Sequence, residues 1–202
     1  MNAPSNISSA IKLVPNGPIS PQPAQVIAFW QEAGPGRWFN PDATFDAVIH
    51  ERFSALHREA AAGRLSSWEE DAPGALALIL VTDQFSRNLY RGSALAFATD
   101  EMARHVADRA LAHRFDQQTQ PQLRGFFYLP FEHHEDEASQ VRAVTLFEKL
   151  AEETGEMDGL NWARLHWGLI SRFGRFPHRN TVLGRLSTPQ EIAYLAQGGF
   201  AG

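Results

Sequence analysis

The segment Ala75–Phe85 constrains the fold more than any other part of the chain, because it is apolar on nearly every side. A segment without a polar face has to be surrounded by other elements, so it predicts a buried, central helix. A buried strand is the alternative for so short a run, but Ala and Leu dominate the segment and its neighbours have helical signals. We therefore predict that the rest of the chain packs around this helix.

The flanking regions also have the apolar spacing of helices, and no region shows the convincing alternation of polar and apolar residues that marks a strand. The sequence therefore predicts an all-α fold, with about eight helices in antiparallel pairs and no sheet. Capping signals predict where four of these helices begin. The predicted N-caps are Asn40 (before Pro41), Ser67 (before Pro73), Ser93 and Thr188.

Some predicted helices have defined ends. The helix that Ser93 opens is expected to reach about residue 112, and Pro130 is expected to interrupt a short aromatic segment. An amphipathic helix is predicted from Glu135 to Glu153, with Val141 on its inner face. A Trp-rich helix is predicted from Asp158 to Phe173.

Residues 1–22 are rich in Asn, Ser, Pro and Gly and predict a flexible leader before a single helical domain, residues 23–202. The apolar patch Ile11–Val14 is too short for a signal peptide. The longest apolar run, Ala75–Val81, is too short to span a bilayer. We therefore predict a cytoplasmic protein without a membrane partner.

The composition excludes several classes of function. The net charge is -5, whereas a general nucleic-acid binder usually has a basic excess, so no nucleic-acid partner is predicted. The chain has no Cys, which excludes disulfides, thiolate catalysis and zinc-finger sites.

Among the 18 basic residues only Lys12 and Lys149 are Lys. A GC-rich genome explains this Arg excess, and so does a need for planar, bidentate contacts with anions.

Two polar segments of similar composition follow apolar runs at widely separated places. We call Asp83–Gly92 the first Arg–Asn segment and Gly174–Arg185 the second. Each couples an aromatic residue to an Arg-Asn pair and then to one more Arg near a Gly. The second contains several Arg and no acid, so anions from elsewhere have to neutralise it. The candidate ligand-binding residues in these segments are Asp83, Arg87, Asn88, Arg91, Arg175, Arg179 and Asn180.

Two sources of those anions remain open. A phosphate or carboxylate ligand would match the forked geometry of the Arg side chains. Carboxylates of the protein itself would instead make the segments into ties between helices, and Asp83 and Glu132 are available for this.

A third polar segment, Tyr128–Asp136, which we call the Glu–His segment, contains candidates for acid–base chemistry. The candidate catalytic residues are Glu132 and His133, with His178 of the second Arg–Asn segment. The spacing matches no familiar metal motif, so no metal and no cofactor is predicted. His166 lies on an aromatic helix and is interpreted as a core histidine with its hydrogen bonds satisfied.

Three runs of the sequence together resemble the uncharacterised bacterial family DUF924. They are Leu76–Arg91, Tyr128–Glu135 and Arg172–Thr188, and the similarity extends over roughly residues 23–200. The resemblance implies an all-helical, tetratricopeptide-like right-handed array, and it implies no activity. This chain has Ser86 where the family usually has Pro, and His134 where it usually has Ser.

These observations leave the question of enzymatic activity undecided. The leading hypothesis is that the three segments converge on one polar pocket that binds an anionic small molecule or a peptide carboxylate. An alternative is a tetratricopeptide-like scaffold for a protein partner, in which the polar segments are structural ties. A further alternative is a hydrolase that uses Glu132 and His133.

Overall fold

The computed structural model describes residues 21–202, and its regular elements in that range are all helical. The α-helices are α1 (Pro23–Ala33), α2 (Pro35–Trp38), α3 (Ala43–Ala61), α4 (Ala72–Ile79), α5 (Phe85–Leu89), α6 (Asp100–Ala112), α7 (Pro121–Arg124), α8 (Leu129–Glu132), α9 (Glu137–Thr154), α10 (Asp158–Phe173) and α11 (Pro189–Ala196). Short 3₁₀ turns connect several of them: Ser66–Glu70, Ala94–Phe97, Asp116–Gln118, Gly125–Phe127 and Pro177–Arg179. The all-α prediction is confirmed, whereas the tetratricopeptide-like pairing stays a prediction.

The predicted leader, residues 1–22, lies outside the described residues except for its last two. Gln22 already belongs to the start of α1, where its backbone N–H donates to the side chain of Gln25 over 2.8 Å. Within residues 21–202, no helix combines the length and the apolar character needed to cross a membrane.

The predicted central helix is present, and it consists of two short α-helices, α4 and α5, that a third helical segment joins end to end. A π-helical segment, Leu80–Gln84, joins α4 to α5, and the backbone stays in the right-handed helical region at both joins. Every residue from Gly74 to Ser86 is buried. The apolar surface of this helix is therefore covered on all sides, as the sequence predicted.

Aromatic residues of neighbouring helices supply much of that cover. The ring of Phe85 lies 4.8 Å from that of Phe53 on α3 and 5.5 Å from that of Trp30 on α1. Aromatic pairs at such distances add about 0.5–1.5 kcal/mol each beyond the area that they bury. They hold the end of the central helix, and with it the first Arg–Asn segment, in a fixed position.

A smaller hydrophobic cluster lies beyond this main core. Leu169 and Ile170 of α10 pack with Phe176, and Tyr194 and Phe200 cover them. This cluster attaches the second Arg–Asn segment and α11 to α10.

Three of the predicted N-caps are wrong because a carboxylate or a later residue takes the role. Asp42 caps α3 in place of Asn40, and its Oδ1 accepts hydrogen bonds from the N–H groups of residues 44 and 45. Asp71 caps α4 in place of Ser67. Ser93 caps only a 3₁₀ turn, and α6 begins afterwards at Asp100.

Two further details differ from expectation. Pro130 does not interrupt a segment but lies in the first turn of α8, where its missing N–H has no cost. Val141 of α9 faces solvent, since it is 45% exposed. By contrast, the bounds predicted for α10 are confirmed, and Thr188 caps α11 with the expected capping box.

The close approach of α4 to the preceding turn requires glycine at position 74. A Cβ there would lie 2.2 Å from the carbonyl oxygen of Trp68. We expect Gly74→Ala to lower the free energy of unfolding by at least ~2 kcal/mol, because the backbone has to move. Gly168→Ala, at an exposed position of α10 with no atom within 4 Å, is the matched control and should be stabilising by roughly 0.5–1 kcal/mol. Urea titration of the two variants measures both effects, and a neutral Gly74→Ala would contradict the packing described for α4.

Candidate functional site

The three polar segments meet around the end of the central helix. His133 of the Glu–His segment contacts Asp83 of the first Arg–Asn segment, with 2.8 Å between Nδ1 and Oδ1. Arg179 of the second Arg–Asn segment donates from Nη1 to the backbone carbonyl of His133 over 2.9 Å. Residues that are far apart in the sequence therefore form one polar cluster.

Asp83 is the most deeply buried acid of the cluster and lies within the π-helical segment. Its Oδ2 accepts a hydrogen bond of 2.6 Å from Gln84, and Arg87 lies 3.5 Å from Oδ1. Burial alone would raise the pKa of Asp83, but the charge and hydrogen bond of His133, with Arg87 and Gln84, lower it to about 2. The carboxylate is therefore ionised at neutral pH although it is fully buried.

A second carboxylate–imidazole pair lies beside the first. Glu132 is buried, and its Oε1 lies 2.5 Å from Nδ1 of His166 on α10. Its other oxygen, Oε2, is buried without a hydrogen bond. The interpretation of His166 as a core histidine therefore omitted its acidic partner Glu132, which is adjacent in sequence to His133, the imidazole that contacts Asp83.

The Arg residues of the first Arg–Asn segment are neutralised by carboxylates of the protein. Arg87 forms a bidentate pair with Asp100, with distances of 2.8 and 3.0 Å. Arg91 forms another with Asp46 at 2.7 and 2.9 Å, and Asn88 donates to the same carboxylate. These contacts raise the pKa of Arg91, chiefly through its hydrogen bond to Asp46. Three of the candidate ligand-binding residues thus serve as ties to α3 and α6.

Two more ties hold the second Arg–Asn segment. Arg175 binds both oxygens of Glu191 on α11, at 2.7 and 2.8 Å, and Asn180 donates to the same carboxylate. The hydrogen bond from Arg175 is the main cause that lowers the pKa of Glu191 to about 2. Arg185 binds both oxygens of Glu135 at 2.5 and 2.9 Å.

Arg179 differs from these residues because no carboxylate forms a fork with it. Its guanidinium lies between the rings of Phe97 and Phe176, at 4.7 and 4.4 Å from their centroids. The nearest carboxylate oxygen, on Asp100, is 3.9 Å away, and the Nε atom is buried without a hydrogen bond. Burial first, and then the charge of Arg87, lower its pKa to about 10, so it stays charged at neutral pH.

His178 completes the apolar side of the cluster. Its ring packs against Phe176 and Phe200, and its Nδ1 is buried without a hydrogen bond. Burial, followed by the charge of Arg179, lowers its pKa to about 4. It is therefore neutral at physiological pH.

Sequence reasoning missed the acids that pair with the Arg residues. Asp46, Asp100 and Glu191 lie on three other helices and have no unusual spacing. The only signal that could have indicated these acids is that each lies on the side of its helix that faces the core.

Within residues 21–202, no group of three or more His, Asp and Glu residues is arranged to hold a metal ion. Two surface hollows lie outside the cluster. One, of about 270 Å³, is bounded by Phe29, Phe45 and Arg52. The other, of about 400 Å³, is bounded by Arg104, Arg142 and by His134 at the end of the Glu–His segment.

The partly buried ion pair of Arg87 with Asp100 should contribute more to stability than the exposed pair of Arg91 with Asp46. We expect Arg87→Met to lower the free energy of unfolding by about 3 kcal/mol, because Asp83 and Asp100 lose a cation in a partly buried place. Arg91→Met should cost less than about 1 kcal/mol, since its side chain is 43% exposed. Denaturant titration compares the two, and equal losses would refute this ranking.

His178 should make the fold sensitive to mild acid. Because its pKa is about 4 in the folded protein and 6.5 ordinarily, the unfolded chain binds a proton between these values that the folded chain does not. Stability therefore falls as the pH drops from about 6.5 to 4, by about 1–2 kcal/mol for this half-buried group. His178→Phe should remove that part of the decline in a series of thermal melts, whereas His50→Gln should leave the decline unchanged. A decline that is the same in His178→Phe and wild type would show that another group causes it.

The chain is similar to a known protein family over most of its length. The family model described as bacterial protein of unknown function (DUF924) matches residues 26–199. A solved structure of a protein of unknown function from Agrobacterium tumefaciens is similar, with a TM-score of 0.81 and 46% identity over 87% of this chain and 97% of that one. No curated protein matches. The chain therefore belongs to the DUF924 family, whose function is unknown.

Proposed function

We propose that the protein binds an anionic small molecule or a peptide carboxylate, and that the Nε/Nη2 edge of Arg179 is the contact that recognises the anion. The observation that carries this proposal is the unpaired Nε atom of a buried guanidinium. Buried polar atoms in proteins are almost always hydrogen-bonded, so an unpaired donor indicates a missing partner such as a ligand or a water.

Other Arg residues of the same protein show what this edge does. Arg91 and Arg175 use Nε together with Nη2 to hold both oxygens of a carboxylate. Arg179 has the same two donors, and neither makes a hydrogen bond to any residue between 21 and 202, since its contacts with carbonyl and carboxylate oxygens are made by Nη1. A carboxylate or phosphate oxygen pair fits this fork in the same bidentate way.

The surroundings hold this fork ready for a ligand. Phe97 and Phe176 cover the two faces of the guanidinium, and the bond from Nη1 to the carbonyl of His133 sets its rotation. A donor that is already oriented loses little conformational freedom when the anion binds. We assign the candidates Arg87, Arg91 and Arg175 to ties within the protein and not to contacts with the ligand, because carboxylates of the protein already pair with their charges.

A scaffold for a protein partner is the second candidate. It is favoured by Trp162 and Leu165, which lie one turn apart on α10 and are 50% and 38% exposed. In that case Trp162→Ser would abolish association with a partner that Arg179→Lys still binds. Both proposals assume the cytoplasmic location that the sequence predicts.

Calorimetry with acetyl-trialanine, its C-terminal amide and inorganic phosphate tests the anion site. We expect one of the two anions to bind the wild type and the amide not to bind. Arg179→Lys keeps the charge but not the fork, so affinity should fall at least tenfold while the thermal midpoint changes little. Arg91→Met is the control, because it removes a tie without touching the fork.

The proposal would be overturned if neither anion bound to the wild type. It would also be overturned if Arg179→Lys bound as tightly as the wild type, or if the amide bound as well as the acid.

A further inference from the structure

His133 is held through one ring nitrogen and leaves the other uncommitted. Its Nδ1 lies 2.8 Å from Oδ1 of Asp83, whereas its Nε2 makes no hydrogen bond to any residue in the described part of the chain. The side chain is 18% exposed, and its unbonded Nε2 is not among the buried polar atoms, so a small molecule can reach it.

The buried carboxylate determines which nitrogen carries the proton. Asp83 is ionised and can only accept a hydrogen bond, so Nδ1 of His133 has to be the donor. In the neutral imidazole Nε2 then has a lone pair that is directed away from Asp83. An acid that fixes the tautomer and stabilises the charged imidazole is the arrangement that prepares a histidine to act as a base.

Another histidine shows what a purely structural pair looks like in the same molecule. Nε2 of His57 lies 2.9 Å from the hydroxyl of Ser86, which resembles a nucleophile and its base. Both residues are buried, and the Ser86 hydroxyl is also bonded to Thr82 and Thr99. That serine can reach no substrate, whereas His133 faces no protein hydroxyl and is partly exposed.

The local backbone and the neighbouring cation support a functional reading of His133. Asp83 projects from a π-helical turn, a rare feature that occurs frequently at functional sites. Arg179, the cation with the open fork, donates to the carbonyl of His133 itself. This bond joins Arg179 directly to the backbone of the residue that carries the imidazole.

We propose that His133 is the general base of a hydrolytic site for esters that carry a carboxylate or phosphate group, with Arg179 as the anchor. This inference rests on the anion site proposed above. Because no hydroxyl of residues 21–202 is bonded to Nε2 and the chain has no Cys, we assign water as the nucleophile.

The reaction is balanced without any further reagent. Nε2 takes a proton from water while the water oxygen forms a bond to the acyl carbon. The bond from that carbon to the alcohol oxygen then breaks, and the imidazolium returns the proton to the departing alkoxide. The products are a carboxylic acid and an alcohol.

Hydrolysis of the para-nitrophenyl monoester of succinic acid tests the proposal. We expect the wild type to cleave this anionic ester at least tenfold faster, in kcat/KM, than para-nitrophenyl acetate. His133→Asn places an amide nitrogen where Nδ1 lies, so it keeps the donor to Asp83 and removes only the base. It should lower kcat about hundredfold or more with little change in KM.

Two control variants separate binding from chemistry. Arg179→Lys should raise KM for the anionic ester at least tenfold and so reduce the preference for the anionic ester over the neutral one. His50→Gln removes an exposed imidazole elsewhere and should behave as the wild type, which excludes unspecific esterolysis.

The outcomes distinguish the two proposals. If succinate binds in calorimetry and depends on Arg179, but His133→Asn cleaves the ester as fast as the wild type, the general base is refuted and the anion site stands. If His133→Asn lost activity only because it unfolds, its thermal midpoint would fall as well. In that case His133 would be a structural partner of Asp83, and the proposed general base would be refuted. If succinate does not bind but acetyl-trialanine or phosphate does, the hydrolytic site is refuted and the anion site stands, and if none of these anions binds, both proposals fail.

Discussion

Burying the ionised carboxylate of Asp83 inside an apolar helix is unfavourable unless cationic donors contact it directly. His133 and Arg87 meet that demand, and each brings another part of the chain with it. His133 carries the Glu–His segment to the central helix, and Arg87 binds Asp100 at the start of α6. The position of one acid thus determines which elements surround the end of the central helix.

Charge pairing also explains why one guanidinium stands out. Arg87, Arg91 and Arg175 each share their fork with an acid of another helix, and these pairs connect α6, α3 and α11 to the polar segments. Arg179 contacts a carbonyl and two aromatic rings instead. We therefore treat each Arg residue separately: those that share a fork with an acid are assigned to ties between helices, and Arg179 is the contact that we propose for an anion.

Sequence reasoning predicted those features that depend on local patterns. The central helix was predictable because its apolar residues leave no polar face, and α11 because Thr188 and Glu191 form a complete capping box. Asn40 and Ser67 were wrong as caps because the helices begin later in the chain, where Asp42 and Asp71 accept hydrogen bonds from the first free N–H groups. The acids that pair with the Arg residues were beyond such reasoning. Asp46 is 45 residues from Arg91, and Glu135 is 50 residues from Arg185, so only the folded packing brings them together.

The π-helical segment Leu80–Gln84 has a consequence for how members of this family can differ in length. A π turn holds about one residue more than an α turn, so removing one residue here would leave a regular α-helix of the same hydrophobic character. The core would keep its helix with the flanking residues in the same orientation, because the π turn accommodates the extra residue locally, and only the turn that carries Asp83 would be lost. A chain that lacks one codon in this turn would therefore keep the helical scaffold and lose the turn that places Asp83 in the polar cluster.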